Sequence, residues 1–460
     1  MLHVQTSFVD PDLLVDAPGW SPPYFVGPAA VALRASHHGA TVAELGGQVL
    51  EGWRVSETPG ALTYDPRAAT APIYRQSNLG RLRLRMSAAH WESPQLAGRW
   101  CVQPGDVVLN KLAPVRAALV SPAARRHPVD GNSLIVRGLS LSTSTWLAVC
   151  LNRPEYEPLL LIESGVLRRV GLGTVASLRV PPAPAVVDAL SISLRDLLDD
   201  LLLVSETVQR VKDEAAQVAA ATTGRHDLRE GSFLDCESMT SDNWLPASVA
   251  LRADQSALAA DLHWVPIRDL ATAEDRSRLQ SAPAEARAVR LSDVADDLLV
   301  GSAEDGAEAG AMPGRVLAKP LIPGEVLLST LGSSFRVAYV DEGVPANAFA
   351  TDGWARLRFR ETPAAWALLL STIPVQQQAK RLAVGTVQQF VPPEALLSLH
   401  VPTPERETRE RWQRVVERHH GQRRALDRRW NSLMGALARA FDEVHRPSAA
   451  RHLRAHEVHQ

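Results

Sequence analysis

Cysteine is scarce in this chain, and its scarcity excludes two kinds of small-domain scaffold. The 460 residues contain three cysteines, Cys101, Cys150 and Cys236, which lie far apart in the sequence. An odd, scattered set does not make a disulfide framework, and it lacks the clustered ligands that a structural zinc site needs. Hydrophobic cores must hold the domains together, and 45% of the residues are apolar.

Long apolar runs and a strong charge of one sign are also missing. No 18 consecutive uncharged apolar residues occur, and residues 1–10 lack the basic segment of a secretion signal. We therefore expect a cytoplasmic protein without a membrane partner. The formal net charge is −2, so a surface for nucleic acid must come from local groups of cations. A length of 460 residues predicts two or three domains.

The chain carries an internal repeat. Pro104-Gly105-Asp106-Val107-Val108-Leu109 returns 219 residues later as Pro323-Gly324-Glu325-Val326-Leu327-Leu328. Each copy continues with an apolar segment, an asparagine, an alternating apolar run and a helical segment that begins with tryptophan. These are residues 117–120, Asn132, 134–136 and Trp146 in the first copy, and 337–340, Asn347, 355–359 and Trp366 in the second. One short match arises by chance, whereas an ordered series predicts two copies of one domain.

Two further matches extend the repeat. A basic pair precedes Gly-Thr-Val in both halves, Arg168-Arg169 in the first and Lys380-Arg381 in the second, which predicts that the two pairs are equivalent. Upstream, residues 42–45 resemble residues 291–294, at an offset about thirty residues larger, which predicts a longer insertion in the first copy. No counterpart of residues 73–78 is evident in the second half.

A long helical pattern follows each copy. Apolar residues recur at three- and four-residue steps from about residue 186 to 221, and again from about 405 to 444. At a rise of 1.5 Å per residue, each helix is on the order of 50–60 Å long. Helices of this length with one apolar stripe need a partner. We predict that they pair as an antiparallel coiled coil, and two unrelated surface helices are the alternative.

This order of parts resembles the specificity subunits of type I restriction–modification systems, in which two recognition domains alternate with two spacer helices. The turn-and-strand of those domains is similar to Gly105-Asp106-Val107-Val108 and Gly324-Glu325-Val326-Leu327. The segment that leads into each helix is similar to Val180-Pro181-Pro182-Ala183-Pro184 and Val401-Pro402-Thr403-Pro404. Residues 73–78 resemble the strand and polar turn that precede the variable region. The resemblance covers about residues 10 to 445.

The resemblance implies an α+β fold with two tandem α/β target-recognition domains, each followed by a long α-helix. The expected boundaries are 1–183 for the first domain, 184–224 for the first spacer helix, 225–402 for the second domain, 403–445 for the second spacer helix and 446–460 for a disordered tail. A rigid spacer between two DNA-binding domains converts protein length into a separation between half-sites.

The implied function is recognition of a split target in double-stranded DNA. The chain would position two adenine methyltransferase subunits, with or without a translocase or nuclease subunit, in a restriction–modification or related anti-phage defence complex. It would not be an enzyme, and it would hold neither metal nor cofactor. S-adenosylmethionine would belong to the partner methyltransferase.

Contact with DNA needs cations and amides that meet phosphates and base edges. The candidate residues are polar or basic and lie near the repeated motifs. In the first copy they are Arg75, Gln76, Asn78, Arg81, Arg83, Lys111, Arg116, Arg168 and Arg169, and in the second Ser334, Arg336, Gln377, Lys380 and Arg381.

Two other functions stay open. Ser21-Pro22-Pro23-Tyr24 matches the signature with which amino-methyltransferases hold the target base, so the chain could be an autonomous or degenerate methyltransferase. Turn-forming residues precede it, however, where a buried strand is expected. The other alternative is a recruitment scaffold in a phage-defence complex with little base recognition.

Overall fold

The computed structural model describes most of the two repeat copies and both long helices. The described residues are 28–53, 62–63, 71–85, 90–91, 100–164, 167–223, 264–273, 279–281, 286–291, 294, 297–300, 315–317, 319–331, 335–384 and 389–445. Contacts divide the chain into two compact units, Met1–Leu203 with Arg428–Gln460, and Val204–Asp427. Each unit contains one copy of the repeat and a part of each long helix. The predicted tail, 446–460, lies outside the described residues.

The described part of the first copy and the helix after it contain five α-helices and twelve strands. The helices are α1 (Pro28–Ser36), α2 (Leu141–Leu151), α3 (Glu157–Leu160), α4 (Leu172–Ser177) and α5 (Val186–Thr223). The strands are β1 (Ala40–Thr41), β2 (Gln48–Glu51), β3 (Leu62–Thr63), β4 (Ala71–Pro72), β5 (Leu82–Arg83), β6 (His90–Trp91), β7 (Val107–Asn110), β8 (Ala117–Leu119), β9 (Ser133–Arg137), β10 (Leu161–Ser164), β11 (Leu167–Val170) and β12 (Arg179–Val180).

The second copy and its helix follow the same plan. The helices are α6 (Ile267–Leu270), α7 (Pro363–Leu370), α8 (Ile373–Leu382), α9 (Pro393–Leu396) and α10 (Arg406–His445). The strands are β13 (Trp264–Pro266), β14 (Ala271–Ala273), β15 (Leu279–Ser281), β16 (Arg287–Val289), β17 (Arg315–Leu317), β18 (Glu325–Ser329), β19 (Val337–Tyr339), β20 (Ala348–Ala350), β21 (Trp354–Phe359) and β22 (His400–Pro402).

The main sheets of the two copies have the same strand order. The first is β2-β9-β7-β8-β5 and the second is β14-β21-β18-β19. Where β5 runs parallel to β8, the second copy has a single parallel bridge between Leu299 and Tyr339. In each copy the entry strand pairs antiparallel with the exit strand, β1 with β12 and β13 with β22. The predicted fold of two tandem α+β domains, each followed by a long helix, is confirmed.

The repeated Pro-Gly-acidic sequence forms a turn before the central strand of each sheet. The N–H of Asp106 donates to the carbonyl of Gln103 at 3.0 Å, and Gly105 has φ 87°. Gly324 has φ 90° in the second copy. Proline followed by a glycine in this left-handed region is the pattern of a type II turn. A residue with a side chain would be strained at the glycine position, which explains why glycine recurs.

The acidic residue of this motif has a structural role in both copies. The buried carboxylate of Asp106 accepts the N–H of Gln103 at 2.8 Å and pairs with Arg137 at 2.7 Å. In the second copy Glu325 pairs with the buried Arg356 at 2.8 Å and with Arg358 at 3.1 Å. The longer glutamate side chain thus keeps the arginine contact and gains a second one.

The main-chain pairing corrects one of the predicted matches. The N–H of Val42 donates to Leu178 at 3.0 Å, and in the second copy the N–H of Ile267 donates to Leu399 at 2.9 Å. Residues 42–45 therefore correspond to α6, and the predicted match with residues 291–294 is wrong. The longer insertion predicted for the first copy was inferred from the larger offset of that match. Because the match is wrong, the offset gives no evidence for the insertion.

The same pairing reveals a counterpart for residues 73–78. Tyr74 forms a parallel bridge with Val129, and Val289 pairs in parallel with Ala350 in the second copy. Residues 73–79 (Ile-Tyr-Arg-Gln-Ser-Asn-Leu) then align with 288–294 (Ala-Val-Arg-Leu-Ser-Asp-Val), which share an arginine, a serine and the apolar positions. A leucine with positive φ follows in each copy, Leu82 at 60° and Leu298 at 70°.

The two long helices run antiparallel. In the Met1–Leu203 unit, Asp200 of α5 pairs with Arg429 of α10 at 2.9 Å. In the other unit, Glu214 of α5 accepts the indole N–H of Trp412 at 3.2 Å. Residue numbers thus rise along α5 as they fall along α10, and the predicted antiparallel coiled coil is confirmed. Val208, Val211, Trp412 and Val416 belong to one hydrophobic core.

A buried polar network joins α10 to the second copy. His419 contacts the carboxylate of Asp297 at 2.8 Å and the carbonyl of Val204 at 3.0 Å. Burial raises the pKa of Asp297, but the hydrogen bond from His419 and the charge of Arg423 outweigh it and lower the pKa below its ordinary value. Burial lowers the pKa of His420, because it disfavours the charged imidazolium. The histidine pair is thus a helix-packing element.

The described residues contain neither a membrane-spanning helix nor a cluster of metal-ligating side chains. In the ranges given above, no helix is both long and apolar enough to cross a membrane. The same part of the chain contains no group of three His, Cys, Asp or Glu side chains that could hold a metal ion.

Candidate nucleic-acid interface

The basic candidates of the first copy gather at one end of its main sheet, opposite the Asp106 turn. At this end β7 stops at Asn110, and residues 111–116 connect it to β8. Residues 130–132 lead into β9, which pairs Asn110 with Ser133. We call these two connections, 111–116 and 130–132, the first loop end.

The side chain of Asn110 shapes the longer connection. Its amide nitrogen donates to the carbonyls of Leu112 at 2.6 Å and Pro114 at 3.0 Å, and its oxygen accepts the N–H of Arg116 at 2.6 Å. A buried asparagine with three such bonds fixes the loop without help from a ligand. The sequence prediction missed this residue, although an asparagine directly after an apolar strand is a signal for a side-chain-braced turn.

Lys111 joins the two connections. Its ammonium group donates to the carbonyl of Gly131 at 2.7 Å and contacts the carboxylate of Glu51. The main-chain N–H of Lys111 donates to the carbonyl of Asn132 at 2.9 Å. Part of the charge of Lys111 is therefore used within the protein, and its contribution to DNA binding stays a prediction.

Arg75 reaches the same end through Asp130. The guanidinium of Arg75 lies 3.6 Å from the carboxylate of Asp130. Burial raises the pKa of Asp130, although a hydrogen bond from Ser133 and the charge of Arg75 oppose the rise. Asn78 is buried, and its side-chain oxygen accepts the N–H of Arg75 at 2.8 Å. The structure thus gives Asn78 a capping role, while Gln76 lies half-buried in the turn beside it.

Three more arginines lie beside this end. Arg169, which is exposed, forms an antiparallel bridge with Leu112, and its neighbour Val170 donates to the carbonyl of Lys111 at 2.9 Å. Arg81, also exposed, precedes the first residue of β5, at the level where β8 begins. Arg83, two residues after Arg81, is half-buried. The side chain of Arg168 lies outside the described residues, although its backbone belongs to β11.

The second copy has an equivalent end, whose described residues are 330–331, 335–336 and 351–353. The N–H of Val391 donates to the carbonyl of Thr330 at 2.7 Å, as that of Val170 donates to Lys111. Arg336 is exposed and corresponds to Arg116, because both precede the strand beside the central one. The guanidinium of Arg336 donates to the carbonyl of Val294 at 2.9 Å. We call this end of the second sheet, with the residues given above, the second loop end. Ser334 and residues 385–387 lie outside the described residues.

The predicted equivalence of the two basic pairs is wrong. Arg168 and Arg169 lie in strand β11, whereas Lys380 and Arg381 lie in the last turn of helix α8. The residue that occupies the position of Arg169 is Phe390, which bridges to Leu331 as Arg169 bridges to Leu112. The two Gly-Thr-Val sequences resemble each other by chance, since Gly173 and Thr174 belong to α4 and the structural counterpart of α4 is α9.

The remaining candidates of the second copy lie on α8. Gln377 and Lys380 are exposed and Arg381 is half-buried. Their neighbour Gln378 is buried and exchanges two hydrogen bonds, 2.9 and 3.0 Å long, with the main chain of His400. The sequence prediction also missed Arg290, an exposed arginine at the position of Arg75. The recurring arginine and serine of residues 73–79 and 288–294 are the signal that could have found it.

Several solved structures are similar to this chain. No protein-family model and no curated protein matches the chain. A type I restriction–modification S subunit from M. genitalium is 10% identical, with 88% of this chain and 95% of that chain covered and a TM-score of 0.41. The HsdS subunit from Thermoanaerobacter tengcongensis is 15% identical, with coverage of 87% and 97% and a TM-score of 0.23. A chain from a structure of type I R-M complex assembly and conformational transition is 14% identical, with coverage of 87% and 95% and a TM-score of 0.24. Each of these three matches covers at least 95% of the other chain.

Proposed function

We propose that this chain is the DNA sequence-specificity subunit of a restriction–modification or related anti-phage defence complex. One observation carries the proposal. Arg75, Arg81, Arg169 and the pair Lys111 and Arg116 come from four separate segments of the first copy, and the fold brings them to one loop end. Cations grouped on one surface of a protein with a net charge of −2 are the electrostatic footprint of a nucleic-acid site.

The duplication of the domain supports a split target. Two copies with the same strand order offer two loop ends, and each would contact one half of the target. Linking two readers in one chain gives the second contact a high effective concentration. The paired helices would set the distance between the half-sites and bind two adenine methyltransferase subunits, with or without a translocase or nuclease subunit.

Catalysis belongs to the partners in this proposal. S-adenosylmethionine would bind to the methyltransferase subunits, and this chain would supply recognition alone. The competing idea of an autonomous methyltransferase depends on residues 21–24, which lie outside the described residues. A test of S-adenosylmethionine binding by the purified chain separates the two, because a specificity subunit gives no binding.

Sequencing of the methylated bases in a host that carries this gene and its neighbours tests the proposal directly. The expected result is an asymmetric motif in two parts, separated by a fixed number of unspecified base pairs, with methylated adenines. Loss of that methylation when only this gene is deleted would assign the motif to this chain. A host in which the deletion leaves every methylated motif in place would rule out the proposed function.

A further inference from the structure

The two loop ends differ in chemistry at positions that the main chain makes equivalent. Arg290 in the second copy is equivalent to Arg75 in the first, and Arg336 is equivalent to Arg116. Two arginines therefore recur in both copies. Elsewhere the copies diverge. The position of Lys111 holds Thr330 in the second copy, and that of Arg169 holds Phe390. Arg81 is matched by Asp297, which is buried and held by His419.

The second loop end carries apolar side chains where the first carries cations. Phe390 is 36% exposed and Val384 is 42% exposed. The two are tied as a strand pair, since each donates its N–H to the carbonyl of the other at 2.8 Å. Leu331 bridges to Phe390 from the other side. Three apolar residues are therefore held side by side on paired backbone at this end.

From this pattern, and on the basis of the proposed function, we infer that the position shared by Arg169 and Phe390 determines base specificity. The arginines that recur in both copies, Arg75 with Arg290 and Arg116 with Arg336, would hold the phosphate backbone, which carries no sequence information and needs the same chemistry at both half-sites. The position that changes between the copies is the one suited to distinguish the half-sites.

The chemistry of the two residues predicts what each contacts. A guanidinium in the major groove pairs with the two acceptors of guanine. A phenylalanine has no hydrogen bond to offer, and the apolar group that a base pair presents in the major groove is the 5-methyl of thymine. Phe390, with Val384 beside it, would therefore contact thymine methyls in its half-site. The two half-sites would differ in sequence, as an asymmetric target requires.

The experiment uses the full-length chain and a duplex that carries the motif found by methylation sequencing. Deoxyuridine, which lacks the 5-methyl group, replaces thymine in one half-site at a time. For the wild type, replacement in one half-site should weaken binding about fourfold, the equivalent of ~0.8 kcal/mol for one buried methyl. Replacement in the other half-site should have little effect.

Two variants assign that effect to Phe390. Phe390→Ala should bind more weakly and no longer respond to deoxyuridine, with its salt dependence unchanged, since no charge is lost. Phe390→Leu should keep the response, because it keeps an apolar contact. The matched control is Arg336→Ala, which should lower the slope of log affinity against log salt by about 1 and leave the deoxyuridine response in place. Phe390 is partly exposed, so the unfolding temperatures should match that of the wild type.

The outcomes separate this inference from the proposed function. A deoxyuridine response that persists in Phe390→Ala, or an unchanged affinity of that variant, would overturn the inference and leave the apolar end as a surface for a protein partner. A wild type that does not respond to deoxyuridine in either half-site would overturn it as well. If the wild-type chain shows no salt-dependent DNA binding, the proposed function itself is wrong.

Discussion

At the scale of single residues, the repeated acidic position is the clearest case of a sequence motif with a structural cause. Asp106 is buried. Its carboxylate accepts a hydrogen bond from the N–H of Gln103 in the turn and forms an ion pair with Arg137. A buried ion pair adds little net stability compared with apolar residues of the same shape, but the loss of one partner leaves an uncompensated charge. Replacement of either Asp106 or Arg137 alone is therefore unfavourable, which explains why an acidic residue recurs at this position of the motif.

Asp106→Ala should thus lower the free energy of unfolding by roughly 3–5 kcal/mol, as measured by urea denaturation. Arg137, the last residue of the interior strand β9, would keep its charge without a counter-ion. The matched control is Glu410→Ala, which breaks the exposed pair of Arg406 and Glu410 and should change stability little. If the two variants lose the same small amount, the buried pair does not hold the turn.

At the scale of elements, apolar burial and not surface charge accounts for the pairing of the long helices. Trp412 and Val416 of α10 are fully buried in the same core as Val208 of α5. The ion pair of Asp200 and Arg429 is about half exposed on both sides. Exposed pairs of this kind contribute at most about 1 kcal/mol, because water and salt screen them.

Trp412→Ala should therefore cost roughly 3–5 kcal/mol, the range for removal of a fully buried aromatic side chain. Asp200→Ala, on the exposed side of the same helix pair, should cost ~1 kcal/mol or less. Thermal and urea unfolding of both variants give the comparison. A larger loss for Asp200→Ala than for Trp412→Ala would show that ion pairs dominate the helix contact.

At the scale of the whole molecule, the units of folding differ from a simple series of domain and helix. The Met1–Leu203 unit includes Arg428–Gln460 from the end of the chain. Within it the ring of Phe441 lies 6.2 Å from that of Trp146, and the hydroxyl of Tyr156 lies 3.0 Å from His445. The core of the first copy is thus completed by the C-terminal part of α10.

A fragment of residues 1–224 should consequently fold poorly when it is expressed alone. It would expose the face of Trp146 and Tyr156 that α10 covers, and large exposed apolar patches promote association. Co-expression with a fragment of residues 225–460 should restore a soluble complex. Size-exclusion chromatography and the cooperativity of thermal unfolding measure both effects. A monomeric 1–224 fragment with a sharp unfolding transition would contradict the division into these two units.

The amino-acid sequence by itself determined the duplication, the two long helices and their partnership. These features depend on local patterns: the Pro-Gly turn, the apolar strand after it, and the three- and four-residue spacing of apolar positions. The same patterns appear wherever the chain makes the same element, so the order of parts could be predicted from residues such as Gly105, Gly324, Trp146 and Trp366.

Only the tertiary structure decided which residues of the two copies are equivalent. Strand pairing brings together residues that are distant in sequence, such as Lys111 with Val170 and Thr330 with Val391, and no local pattern encodes those partners. The two basic pairs before Gly-Thr-Val are similar in sequence, but the first lies in strand β11 and the second in helix α8. The pairing instead gives Phe390 the position that Arg169 has in the first copy. The difference between the two loop ends is therefore a property of the folded sheets, because hydrogen-bond register, and not sequence spacing, fixes which side chains share a position.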